Sequence, residues 1–296
     1  MAKKLSKLNN KPFEMAIKVI FIPICLISII PLWVIFVGSF TQDKAISDYG
    51  YQLWPRIFSL EAYTHLFTTP GLIGRAYLIS ITVTVIGVIV GITLMSMLAY
   101  TIANKNFKLA KGLGFYVLLT MLFSSGVVPY YILVTRYLHL KNTIWILIFN
   151  GDLINPFSVL LLTTYFRRLP QSLFEAAKLD GAGEFQIFLK IALPLSKPAI
   201  AVIGLLTMLI YWNNIYQALL FIDDQRLYTV PYLLYRLIFE YNIIQEGAQY
   251  TGTITPYQSV RMAMAVLAIV PVLFAFPFIQ RFFIRGITLG GLRGGE

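Results

Sequence analysis

The sequence predicts an all-α membrane protein, with six transmembrane helices and one polar helical hairpin on the cytoplasmic side. Three observations carry this reading. The 296 residues are 58% hydrophobic and only 12% charged, with a mean hydropathy of +0.74, so much of the surface must face hydrocarbon. Six apolar segments each reach about 20 residues, the length that crosses roughly 30 Å of hydrocarbon at ~1.5 Å per residue. Lysine and arginine concentrate in alternate connections, as the positive-inside rule requires of a multi-pass chain.

The first span, 18–39, follows the basic start "MAKKLSKLNNKPFEMAIK". Its apolar core is too long for a signal peptide and no small-x-small cleavage site closes it cleanly, so it is read as a retained anchor. The remaining spans are predicted at 76–102, 114–134, 144–166, 198–221 and 260–283. With the N-terminus inside, the inner segments hold sixteen of the 24 basic residues and five of the 13 acidic ones, which accounts for the whole net charge of +11. Both termini are therefore predicted cytoplasmic. The same charge does not signal nucleic-acid binding, because it is dispersed at span ends and no zinc spacing or compact nucleic-acid motif accompanies it. The single cysteine, Cys25, lies in an apolar run and argues against disulfides and cysteine-based metal sites.

The connection "RRLPQSLFEAAKLDGAGEFQIFLKIALPLSKP" is unlike the rest. Pro170 can open a helix, since a first-turn proline loses no hydrogen bond, and 171–179 holds good helix formers. Gly181 and Gly183 permit a turn, and a second helix runs from about Glu184 until Pro194 stops or kinks it. Leu173, Ala176 and Ala177 share one apolar face, as do Phe185, Phe188, Leu189 and Ala192, by spacings of three and four. Two readings fit: a hairpin resting on its own spans with its charges in water, or a partner surface.

The fourth span is interrupted by "NGDLINP". Its Asp152 fits either an ion route or a position near the outer mouth from which it caps or positions the broken helix. "SSGVVP" at 124–129 reads as a packing and kink element in which Ser124 and Ser125 are candidate lining residues. In the outer connection 222–259, "DDQRLYTVPYLLYRLIFEY" fits an interfacial helix or a cap over the bundle. Trp54, Pro55 and Phe58 are candidates for an outer platform. No GxxxxGK[ST] sequence occurs, so ATP hydrolysis would need another polypeptide. HExxH, GxSxG and clustered histidines are also lacking, and His65 and His139 read as lone surface residues.

The run Glu175-Ala176-Ala177, Asp180-Gly181-Ala182, Phe188, Ile191, Leu193-Pro194-Leu195 and Pro198 resembles the EAA signature of ATP-binding-cassette importer permeases, in the carbohydrate-importing branch that includes the smaller maltose permease subunit. "SSGVVPYYILVTRYLHLKNTIWILIF", "NPFSVLLLTTYFRRLP" and "RFFIRGITLGGLRGG" are similar to that branch too, and the SSG–VVPYY and GITLGGLRG wording is most similar to permeases for complex plant or algal oligosaccharides.

The resemblance implies that the hairpin is a coupling helix seated in a cytoplasmic nucleotide-binding subunit, with Glu175 making a charged contact and Gly181 setting the turn. It implies that Ala176, Ala177, Asp180, Ala182 and Pro194 serve the same coupling, and that the tail around Gly290, Gly291 and Arg293 approaches the paired ATPases. The domain division that follows is a cytoplasmic segment 1–17, a permease domain 18–285 containing the hairpin 170–194, and a cytoplasmic tail 286–296.

Implied partners are a second related permease, two copies of the nucleotide-binding subunit, an external solute-binding protein and the lipid bilayer of the bacterial cytoplasmic membrane. No cofactor or metal is expected on this chain; ATP and magnesium belong on the partner subunits. For a sugar path, Tyr211, Trp212, Asn213, Asn214 and Gln217 in "MLIYWNNIYQALLF" offer amides for hydroxyls and rings for apolar sugar faces. The alternative for the asparagines is that they join spans within the complex. An ion-coupled secondary transporter and a structural membrane subunit remain the competing functions.

Overall fold

The computed structural model describes residues 11–67, 71–251 and 257–291. Among them all regular structure is helical apart from one antiparallel bridge between Thr41 and Phe58. In chain order the helices are α1 (Lys11–Ser39), α2 (Asp43–Tyr49), α3 (Glu61–Leu66), α4 (Leu72–Ala103), α5 (Ala110–Leu122) and α6 (Val127–Ile132), which continues into a π-turn over Leu133–Tyr137. Then come α7 (Ile144–Ile148), α8 (Pro156–Arg167), α9 (Gln171–Leu179), α10 (Glu184–Ile187), a second π-turn over Phe188–Ala192, and α11 (Leu193–Leu195). The last are α12 (Lys197–Trp212), α13 (Tyr216–Phe221), a short 3₁₀ turn, α14 (Val230–Thr251) and α15 (Tyr257–Gly291). The chain forms two compact units.

One unit comprises Met1–Pro70 and Leu237–Ile269. Within α1, Ile17–Ser39 is apolar and long enough to cross a membrane, and its side chains are exposed up to Trp33. Its end is packed: a Cβ on Gly38 would lie 3.1 Å from Cγ of Met262, and Tyr63 donates to Oγ of Ser39 at 2.9 Å. Buried Asp43 accepts from the backbone N–H of Ser259 at 2.9 Å and from its hydroxyl at 3.3 Å, which satisfies a carboxylate that would otherwise be costly to bury. Trp54 and Phe58 are exposed.

The other unit comprises Gly71–Arg236 and Val270–Glu296 and is built around α4. Its core joins Met95, Ala99 and Ile102 of α4 to Val117 of α5, Val159, Leu162 and Phe166 of α8, Phe188 and Ala192 of the second π-turn, and Ile203 of α12. Gly87 and Gly91, one helical turn apart, let neighbours come close: a Cβ on Gly87 would lie 2.3 Å from the Tyr211 ring, and one on Gly91 2.9 Å from the carbonyl oxygen of Leu153. This small-residue face is how membrane helices gain packing where no hydrophobic drive operates between them.

The spans differ from straight rods. The helix predicted over 76–102 is one unbroken helix, Leu72–Ala103. The span predicted over 114–134 is two helices, Ala110–Leu122 and Val127–Tyr137, bent by 108°. The span predicted over 198–221 stops at Trp212 and restarts at Tyr216. The fourth is split by the irregular stretch 149–155, as its "NGDLINP" suggests. The last predicted span lies inside α15. The expected outer helix is α14, although it starts later than the quoted motif, at Val230.

Candidate functional site

Two places carry polar groups that the packing does not need. The first is the hairpin. After Pro170 the chain enters α9; the turn is then closed by Gly181 N–H to Lys178 O at 3.0 Å and Ala182 N–H to Ala177 O at 2.9 Å. Gly181 sits at φ +81°, a left-handed conformation in which a Cβ is strained. Lys178 Nζ spans the turn to Glu184 Oε1 at 2.6 Å, and this ammonium holds the Glu184 carboxyl below the usual carboxylate range against the opposing effect of its partial burial.

The other oxygen of Glu184 accepts from the Tyr100 hydroxyl at 3.1 Å, tying the hairpin to the end of α4. The Tyr100 ring packs on Phe188, Phe166 and Phe174 with centroids 5.2, 5.9 and 6.4 Å away. Glu175, Lys178 and Gln171 line an open notch beside Asn104 and Asn106.

The faces of the hairpin differ from the sequence expectation. In α9, Phe174 and Ala177 turn inward, whereas Leu173 and Ala176 are exposed. In the second arm Ile187, Phe188 and Ala192 are buried, and Phe185 and Leu189 are exposed. In α9 the inward face is set by Phe174 packing on Tyr100; in the second arm the reason is the wide turn, where Leu193 N–H bonds back to Phe188 O, five residues away, so the spacing of three and four no longer describes one face. Glu175, Asp180, Gly181 and Pro194 are exposed, Ala182 is half-buried, and Leu179 at the tip is 89% exposed.

The second place is where two chain breaks, 149–155 and 213–215, meet beside Tyr130, one turn after a third. The 123–126 link carries Gly126 at φ +78°, the 149–155 stretch lies between α7 and α8, and residues 213–215 separate α12 from α13. Tyr130 donates to Gln217 Oε1 at 3.3 Å, Asn214 Nδ2 donates to Asp152 Oδ2 at 3.4 Å, and Tyr211 donates to the Ile148 carbonyl at 2.7 Å. Side chains cap the restarts. Asn155 Oδ1 accepts from Ser158 N–H at 3.0 Å at the start of α8, and Asn214 Oδ1 accepts from Gln217 N–H at 3.1 Å at the start of α13. The helix is thus capped by Asn155 rather than Asp152, whose carboxylate instead ties the 149–155 stretch to Asn214.

The candidate path residues separate into two groups. Asn214 and Gln217 are half-buried in the polar row, and Asn213, Ser124 and Ser125 are exposed. Tyr211 and Trp212 are buried, each 4% exposed: Tyr211 is wedged over Gly87 and bound to Ile148, and Trp212 lines an apolar groove of about 550 Å³ between α4 and α12. Gly290 and Gly291 end α15, and Arg293 lies outside the described residues. Tyr130, Tyr100 and Glu184 carry contacts that the sequence reading passed over. Only the Gly87/Gly91 spacing was available as a signal of close packing. No cluster of three or more His, Cys, Asp or Glu occurs among the described residues.

Residues 7–289 match the family model described as a binding-protein-dependent transport system inner membrane component. The chain is 36% identical over 293 residues to the polygalacturonan/rhamnogalacturonan transport system permease protein YtcP of Bacillus subtilis (strain 168), with 97% of this chain and 100% of that protein covered. It is 30% identical over 278 residues to the arabinooligosaccharides transport system permease protein AraQ of Halalkalibacterium halodurans, covering 92% and 93%. A crystal structure of a bacterial ABC transporter involved in the import of the acidic polysaccharide alginate contains a chain of similar fold, with a TM-score of 0.79, 27% identity, and 94% of this chain and 98% of that chain covered. The chain therefore belongs to the family of inner-membrane components of binding-protein-dependent transport systems, as a permease subunit of an ABC importer.

Proposed function

We propose that this chain is one of two related permeases in an ATP-driven importer of complex oligosaccharide in the bacterial cytoplasmic membrane. It crosses the membrane six times with both termini in the cytoplasm, and 18–285 forms the permease domain between the end segments 1–17 and 286–296. Two nucleotide-binding subunits bind ATP and magnesium, and an external binding protein delivers the sugar. The hairpin 170–194 couples the ATPases to the spans. Glu175, Asp180 and the exposed tip grip the motor, while Ala176, Ala177, Gly181, Ala182 and Pro194 shape the grip. The Tyr100–Glu184 bond and the aromatic cluster then carry its movement into α4. Gly290, Gly291 and Arg293 approach the ATPase pair.

The observation that carries the sugar path is the meeting of two breaks with Tyr130, one turn after a third, at one polar row. Irregular backbone at membrane depth persists only where it is buried in protein or lines a water-filled cavity, and discontinuous helices are where transporters bind substrate. Asn213, Asn214, Gln217, Ser124 and Ser125 offer donors and acceptors for hydroxyls, with Tyr211 and Trp212 supporting them from behind. The carbohydrate class is supported by the relatives, whose named substrates include arabinooligosaccharides and polygalacturonan. The test is substrate-dependent ATPase of the reconstituted complex: Asn213→Leu and Asn214→Leu should weaken the stimulation with the complex still assembled. Normal stimulation in both variants removes these residues from the path, and lost assembly makes them packing residues.

A further inference from the structure

Across the segments that bear the three breaks, 123–132, 144–166 and 198–222, the sequence holds a single charged residue, Asp152. It is half-buried, and one of its carboxylate oxygens accepts from Asn214 in the polar row. The basic residues that flank these segments lie outside them: Arg167 and Lys197 adjoin their ends away from Asp152 in sequence, Arg136 is in the first π-turn, and Lys141 is paired with Asp223 at 2.9 Å.

We propose that Asp152 is a specificity-determining residue that makes this chain's share of the path select neutral oligosaccharides over uronate-bearing ones; the inference rests on the oligosaccharide reading above. A carboxylate accepts hydrogen bonds from hydroxyls on neighbouring sugar carbons, and Asp152 has acceptor capacity beyond its bond to Asn214. The amides around it donate to the same hydroxyls. A uronate passing the row meets the opposite situation, a like charge with no cation on these segments to offset it.

By Coulomb's law two such charges at ~6 Å lower occupancy about threefold in water-like surroundings and about a hundredfold at an effective dielectric of ~20. A partly hydrated path lies between these limits. The relatives divide: one is named for polygalacturonan/rhamnogalacturonan and a solved importer for the acidic polysaccharide alginate, whereas another is named for the neutral sugars melibiose, raffinose and stachyose, so the first two alone would suggest the reverse preference and the experiment decides between them.

The experiment uses the complete reconstituted importer with its binding protein. ATPase stimulation is titrated with galacto-oligosaccharides and galacturono-oligosaccharides of equal length, each corrected for the binding protein's own affinity. The wild-type complex should be half-stimulated by the neutral sugar at a concentration about tenfold lower than by the acidic one. Asp152→Asn should bring that ratio towards one, and Asp152→Glu should keep it.

A wild-type ratio near one, or in favour of the acidic sugar, overturns the proposal without needing any variant to fold. An unchanged ratio in Asp152→Asn overturns it as well. In both cases sugar stimulation itself persists and the importer reading stands. If neither sugar class, nor any other oligosaccharide, stimulates the wild-type complex, the oligosaccharide reading fails and this inference fails with it.

Discussion

Replacing Gly87 by alanine should damage the assembled permease more than any other single methyl in α4. The new Cβ would stand 2.3 Å from Cε1, 2.4 Å from Cζ and 2.8 Å from Cδ1 of Tyr211. The ring cannot simply swing away, because Tyr211 is buried and its hydroxyl is bonded to the Ile148 carbonyl at 2.7 Å. Overpacking of this kind costs about 1–3 kcal/mol, and the loosened hydrogen bond adds roughly 0.6–1.5 kcal/mol in a membrane bundle. Alanine returns about 0.5–1 kcal/mol through backbone entropy, which leaves a net destabilisation of about 0.6–4 kcal/mol.

The assay is thermal unfolding of the purified complex, read beside substrate-stimulated ATPase, since a displaced Tyr211 also shifts the 213–215 break that follows it. Tyr211→Leu in the Gly87→Ala background should cost clearly less than the sum of the single changes, because the shorter side chain vacates the clash. Strict additivity, or a Gly87→Ala complex that melts like wild type, would refute the packing on which the polar row depends.

Three further outcomes follow from the hairpin and the topology. Gly181→Val should impair coupled transport more than Glu175→Lys, because φ +81° strains a β-branched residue by about 1–3 kcal/mol whereas an exposed ion pair is worth about 0–1 kcal/mol; subunit pull-down with transport assays decides the order. Glu184 titrates below the usual carboxylate range, so its tie to Lys178 is fully present above the unfolded carboxylate value and is lost as pH falls through the lowered one. The number of substrates moved per ATP should therefore fall on acidification in wild type, and Glu184→Gln should show the low value at neutral pH with little further change. Single cysteines at Ser172 and Gln225, in a Cys25-free background, should be labelled from opposite sides of the membrane; equal labelling from outside would reverse the predicted orientation.

Much of the helical layout was legible because its signals are local. The span within Leu72–Ala103 announces itself by length and hydropathy, and the hairpin by Pro170, "DGAG" and Pro194. The bends were less legible because uniformly apolar segments carry little periodicity. A break at 213–215 is set by Asn214 capping α13 and pairing with Asp152, residues 62 positions apart, and no local signal specifies that partner. The same limit explains the hairpin faces. Whether Leu173 or Phe174 turns inward depends on where Tyr100 and Phe166 stand, and the π-turn at Phe188–Ala192 shifts the register of the second arm in a way that residue spacing does not report. For the same reason Tyr211 and Asn214 look alike in "YWNNIYQ" yet do different work, one locking α12 against Gly87 and Ile148, the other facing the polar row.

The central claim is that sugar moves through this permease at the expense of ATP hydrolysed elsewhere. It is tested most directly by oligosaccharide uptake into proteoliposomes that contain the two permeases, the ATPase subunits and the binding protein, with ionophores collapsing every ion gradient. The account predicts uptake that requires ATP and magnesium, persists without an ion gradient, and stops when the ATPase subunits are omitted. Uptake that follows a proton or sodium gradient and survives removal of the ATPase subunits would contradict it.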